Sequence, residues 1–196
     1  MTKQQVCLLF PPLCFMESEM GLRPKARLIP QRYLDQRMTI RPYTGNKDGP
    51  HPQPREGTTV FKDYCCFLFG VTSLGIYANR PVKGSPSKTP VLSVHATWRA
   101  VDLSGTVKQR YQLIDFLFKH RDILGVEEIH DYSNTYKPSK FGFGAGYRSS
   151  RDAWLVYEKN TIGSKGGTWV HVEISPLLAD HPDIVRHAFE TIMKGP

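Results

Sequence analysis

Residues 169–174, Trp-Val-His-Val-Glu-Ile, alternate strictly between two kinds of side chain. In an extended strand successive side chains point to opposite faces. Val170, Val172 and Ile174 therefore share one face, and Trp169, His171 and Glu173 share the other. The chain must build a sheet with one apolar side to pack and one polar side to present.

A second segment supplies partners for that polar side. His95 and Asp102 stand in the run Ser93-Val94-His95-Ala96-Thr97-Trp98-Arg99-Ala100-Val101-Asp102. Seven residues span about 23 Å when fully extended. Two ligands of one metal ion bring their donor atoms to within about 3–4 Å of each other. If both residues serve one site, the chain must turn around residues 96–99 and then enter a strand carrying Asp102. His95, Asp102 and His171 then form a candidate zinc triad. Three protein ligands leave one tetrahedral position open, the arrangement suited to a reactive water.

The run resembles the Ser-x-His-x-x-Gly-x-Ala-x-Asp motif of the D-Ala-D-Ala zinc metallopeptidases. That superfamily includes D,D-carboxypeptidases, D,D-dipeptidases and phage endolysin peptidases. Ser93, His95, Ala100 and Asp102 match, and His171 matches the later histidine ligand. The stretch Tyr77-Ala78-Asn79-Arg80 is similar to the family's substrate-binding arginine segment, which makes Arg80 a clamp for a carboxylate or carbonyl. Residues 147–154 and the glycines before Trp169 look most like phage-encoded members. The resemblance covers roughly residues 70–192. It implies a Zn2+ cofactor and hydrolysis of peptide bonds in peptidoglycan stem peptides, with Ser93, Trp98 and His130 lining the substrate site.

Two positions depart from the pattern. Trp98 replaces the motif glycine. A bulky residue is strained at φ > 0, so either the turn differs or Trp98 has ordinary geometry and packs near the site. Thr168 stands three residues before His171, where the family carries a carboxylate base. Glu173, on the same strand face as His171, is the expected substitute, with Glu128, His130 and Asp131 a second titratable cluster.

The charge distribution divides the chain. The net charge is +8 over 196 residues. Residues 21–60 hold eight Lys/Arg against three Asp/Glu, a balance of +5, together with six prolines. Residues 1–60 are therefore expected to form an extended basic arm, and residues 61–196 a zinc peptidase-like domain. The arm could contact other virion proteins; no nucleic-acid motif accompanies its charge. No apolar run approaches the ~20 residues of a membrane helix. Residues 6–10 are apolar but stopped by Pro11-Pro12, a poor signal peptide. The expected location is a phage virion or the host cytoplasm, with action on the cell wall. Cys7, Cys14, Cys65 and Cys66 show no metal spacing and are expected as reduced thiols.

The remaining pattern predicts an α+β domain with a mainly antiparallel sheet flanked by helices. Residues 61–74 suit either a strand or a buried helix. Residues 106–121 form an amphipathic helix with Val107, Tyr111, Ile114, Leu117 and Phe118 as its stripe. Residues 126–132 form a strand, and residues 137–146 a glycine-rich lid loop. Ser149 or Ser150 caps a helix reaching about Lys159. Asp180 caps the last helix, which buries Ile184, Val185, Ala188, Phe189 and Ile192. Besides hydrolysis, the pattern allows a virion tail protein whose peptidase-like domain binds the cell wall without turnover.

Overall fold

A computed structural model describes residues 41–82, 85, 86, 88, 90–137, 144–157 and 167–195. The elements run α1 (Glu56–Phe69), β1 (Thr72–Gly75), a 3-10 turn (Val94–Thr97), β2 (Ala100–Ser104), α2 (Val107–Lys119) and β3 (Val126–Asp131). They continue with β4 (Ala145–Arg148), a second 3-10 turn (Ser149–Arg151), β5 (Ala153–Val156), β6 (Trp169–Ile174), α3 (Pro176–Asp180) and α4 (Pro182–Lys194). The architecture is α+β. The six strands lie in the order β1-β2-β6-β3-β4-β5, and every described pairing is antiparallel.

The alternation in β6 works as its parity requires. Val170, Val172 and Ile174 are buried beside Val101, Leu103 and Ile129 from the flanking strands. Helix residues complete this core, among them Phe61, Leu113, Leu117, Val185 and Phe189. Residues 61–74 divide between α1 and β1. Tyr64 of α1 stacks on Phe189 of α4, with centroids 4.5 Å apart. Gly57 lets α1 approach α3: a Cβ there would collide with the Leu178 carbonyl oxygen. Gly70 ends α1 in the left-handed conformation.

Helix α2 opens on a reciprocal capping box. The Thr106 hydroxyl accepts from the Gln109 amide, and Gln109 Oε1 accepts from the Thr106 amide. Its buried stripe is Arg110, Leu113, Ile114 and Leu117. Val107 and Tyr111 are 62% and 47% exposed, against expectation. Ile114 and Leu117 of the expected stripe are buried and Phe118 packs against the core, with Arg110 and Leu113 in place of Val107 and Tyr111 completing the i, i+3, i+4, i+7 spacing.

Two other local expectations change. After Ser149 the chain makes only one 3-10 turn and then pairs back as β5, with Trp154 opposite Tyr147. The Ser149 hydroxyl donates to the Pro42 carbonyl instead of capping a helix. Ser175 caps α3, while Asp180 ion-pairs with Arg55 and caps nothing.

The expected boundary between residues 60 and 61 falls inside α1. Residues 41–55 belong with the domain because buried polar contacts tie them there. Arg41 donates to the Val126 carbonyl at 2.7 Å. Thr44 donates twice to Glu127. Arg99 is 0% exposed and pairs with Asp48 and Glu127 at 3.0 and 3.2 Å. Arg55 pairs with the same Asp48 at 2.6 Å and with Asp180 at 2.7 Å. Residues 1–40, which hold most of the expected arm and Cys7 and Cys14, lie outside the described residues. Cys65 is buried and Cys66 half-buried, both as free thiols. Among the described residues no helix is long and apolar enough to cross a membrane.

Candidate metal centre

The run from Ser93 to Asp102 turns as its spacing demanded. The Ser93 hydroxyl accepts from the His95 amide and starts the 3-10 turn Val94–Thr97. Trp98 closes that turn at φ 59 and ψ 24, and β2 follows with Asp102. Trp98 thus adopts the left-handed geometry that favours glycine, not the ordinary geometry expected for it. Such geometry costs a non-glycine residue roughly 1–2 kcal/mol. The indole offsets this by donating to the His51 carbonyl at 3.1 Å and stacking on Tyr77 with centroids 4.3 Å apart.

Sheet register then assembles the site. Asp102 on β2 lies opposite His171 on β6, which lies opposite His130 on β3. One row of the polar face therefore reads Asp102, His171, His130 across adjacent strands. His95 reaches the row from the 3-10 turn. One donor atom each from His95, Asp102 and His171 falls within a mutual 4.8 Å, so the three could hold a metal ion.

The contacts assign the nitrogens. His95 Nε2 lies 3.3 Å from Asp102 Oδ2, while its Nδ1 lies 2.7 Å from the Ile76 carbonyl oxygen. That carbonyl can only accept, so Nδ1 carries the proton and Nε2 faces the shared space. His171 Nδ1 lies 2.8 Å from Asp102 Oδ1. Its Nε2 lies 3.1 Å from Glu173 Oε1. Each imidazole is held from behind by an oxygen, as outer partners orient metal-binding histidines.

The charges reinforce one another. Burial alone would raise the pKa of Asp102, but the hydrogen bond from His171 and the contact with His95 hold it well below the usual carboxylate range. Burial likewise works against a charged His171, but hydrogen bonds to Asp102 and Glu173 and their negative charges push its pKa up to about 10. Without an ion, His171 is therefore a charged imidazolium between two carboxylates.

Glu173 occupies the expected face but the other side of the ring. Its Oε1 meets His171 Nε2, away from the space between the three ligands, and its buried Oε2 has no partner among the described residues. A general base must stand within hydrogen-bond reach of the proton it takes. Glu173 is placed to orient His171 instead. Thr168 is exposed and contributes its carbonyl oxygen to Ser104 and Arg110.

The second titratable cluster divides. Asp131 is fully buried and closes a turn, accepting from Ser133, Thr135 and Tyr136. His130 shares the polar face with His171, with ring centroids 5.5 Å apart. Its Nε2 lies 3.3 Å from Glu128, and its Nδ1 contacts the Tyr157 hydroxyl. Glu128 also accepts from Arg148 at 2.6 Å and from Tyr43 at 2.9 Å.

Of the expected substrate-site residues, Ser93 serves as a turn cap and Trp98 packs beside Tyr77. Arg80 is exposed, and its positive charge is felt at Tyr132 together with the charge of Asp102. Tyr43, Tyr132, Arg148 and Tyr157 also surround the polar face and were not anticipated. Gly146 carried a signal for one of them. It sits opposite His130, and a Cβ there would collide with the Tyr157 phenol. Of the expected lid, residues 138–143 lie outside the described residues. No family profile matches this chain, and no curated protein or solved structure matches it.

Proposed function

We propose that the protein is a zinc-dependent peptidase that hydrolyses peptide bonds in peptidoglycan stem peptides, encoded by a phage. The supporting observation is the convergence of His95, Asp102 and His171, with both imidazoles anchored from behind. Two histidines and a carboxylate suit zinc. A zinc ion bound there would supply Lewis acidity, polarising a carbonyl and acidifying water. His95 offers Nε2 and His171 Nδ1, while Ile76 and Glu173 fix their rings. Arg80 holds a carboxylate or carbonyl of the peptide at the edge of the site. Peptidoglycan is the partner, and the basic segment before residue 41 contacts other virion proteins. The protein acts from the virion or reaches the wall from the host cytoplasm.

With Glu173 behind His171 and Thr168 exposed, the described residues supply no carboxylate in the expected base position. A positioned base is worth about 10²–10⁴-fold in rate. Slow wild-type turnover is therefore expected, and Thr168→Glu should raise it. The test is digestion of purified muropeptides by zinc-loaded protein, read by mass spectrometry. Cleaved stem peptides, formed faster by Thr168→Glu, support the reading. The same two side chains favour a second reading, a virion tail protein that binds the wall without cleaving it. Muropeptide binding with no product from either protein would select that reading.

A further inference from the structure

Three phenols border the polar face around His130. Tyr43 donates to Glu128, and Tyr157 contacts His130 Nδ1. Tyr132 differs: its hydroxyl makes no hydrogen bond among the described residues, although its ring is firmly held. The ring stacks on His130 at 5.3 Å and 10°, and tilts against Trp169 at 5.6 Å. Tyr132 lies in the turn just past β3, and this stacking keeps its ring beside His130. The phenol feels Asp102, Glu128 and Glu173 on the negative side and Arg80 on the positive side. A half-buried phenol with its donor unused thus stands beside His130, whose ring lies 5.5 Å from that of His171.

We propose that Tyr132 is the hydrogen-bond donor that meets the scissile carbonyl oxygen as it becomes an oxyanion. The inference rests on the hydrolytic reading above. In that reaction the oxygen of water bonds to the carbonyl carbon and negative charge gathers on the carbonyl oxygen. The C–N bond then breaks, and the amine leaves carrying the proton lost by water. Tyr132 keeps its own proton throughout. Burial, and after it the nearby carboxylates, push its pKa above the ordinary phenol value, which keeps the donor protonated. The stack on His130 and the tilted contact with Trp169 hold the ring before substrate arrives, and such preorganised donors act most strongly where charge develops.

The test is Tyr132→Phe, which removes one oxygen and leaves the stacked ring. Tyr136→Phe is the control, because Tyr136 bonds Asp115 of α2. Zinc-loaded Tyr132→Phe should keep its zinc and its melting temperature. Its kcat on muropeptide should fall about 10²-fold, with KM changed by less than about twofold. Calorimetry should show a phosphinate analogue of D-alanyl-D-alanine binding at least about tenfold more weakly, with binding of D-alanine unchanged. Tyr136→Phe should match wild type in all four measurements. An active wild type with an equally active Tyr132→Phe, or unchanged phosphinate affinity, overturns the role of Tyr132 alone. A zinc-loaded wild type that neither cleaves muropeptide nor binds the phosphinate overturns the hydrolytic reading, and this inference with it.

Discussion

The Arg99 cluster and the His95–Asp102–His171 cluster are both buried and charged, but they close differently. Arg99 is surrounded: Asp48, Glu127 and the carbonyls of Gly45 and Ile174 take its donors. Arg55 joins through the shared Asp48 and adds Asp180. Its guanidiniums point at partners already in place. In the histidine cluster Ile76 and Glu173 hold the outward nitrogens, while both inward nitrogens converge on the single carboxylate of Asp102. A polar cluster anchored at its back and convergent at its front could hold a metal ion. A cluster satisfied on every side is arranged to hold the chain together.

Removing the segment that carries Asp48 and Arg55 should have the largest effect. A chain beginning at Arg41, the first residue tied to the domain, should melt cooperatively. A chain beginning at residue 61 loses Asp48 and Arg55 and the first turn of α1, and should not fold. Circular dichroism melts of the two proteins decide this. A cooperative melt from the shorter chain would return residues 41–60 to the arm.

Arg99→Ala should come next. It leaves Glu127 buried without its cation, while Asp48 keeps Arg55, a loss of about 3–5 kcal/mol and a fall in Tm of roughly 10 °C. Zinc affinity, measured below the new Tm, should be unaffected. If Arg99→Ala abolishes zinc uptake in a folded protein, the two clusters are coupled and the contrast fails.

The pH response should separate the clusters further. In metal-free protein His171 has a folded pKa of about 10 against its ordinary 6.5. A raised histidine pKa stabilises fully below the unfolded value and loses that contribution as pH rises through the folded one. Asp102 has a lowered pKa, so its contribution is present above the ordinary carboxylate range and is lost in acid. The Tm of chelator-treated protein should therefore decline between about pH 6.5 and 10. Zinc must displace the His171 proton, so its affinity should tighten across the same window. A flat metal-free Tm with pH-independent zinc binding would contradict the charged His171.

The smallest effect lies at Trp98. Glycine tolerates the left-handed conformation and alanine does not, so Trp98→Gly should be more stable than Trp98→Ala by about 1 kcal/mol. Equal stability in thermal melts would mean that the left-handed turn is not kept.

What the sequence revealed depended on distance along the chain. The two faces of β6 follow from parity, so Val172 and His171 could be assigned without coordinates. The turn before Asp102 follows from chain length, because an extended run cannot close on one ion. The Arg99 cluster was not legible, because Arg99 and Asp48 are 51 residues apart and no local pattern joins them. The prolines between residues 42 and 54 correctly indicated non-regular chain, but not that this chain packs on the domain. Glu173 shows the finest limit. Its face was legible, but the side of the imidazole it occupies depends on the setting of the His171 ring.

Under the proposed function His95, Asp102 and His171 form one metal centre oriented from behind by Glu173. Zinc content and zinc affinity of wild type, His171→Ala and Glu173→Gln, each confirmed folded by circular dichroism, test it most directly. Wild type should hold about one zinc per chain and His171→Ala none. Glu173→Gln should bind zinc about 10–100-fold more weakly, the usual cost of losing an outer partner. A His171→Ala protein that retains full zinc, or a wild type that takes up none, would contradict the claim.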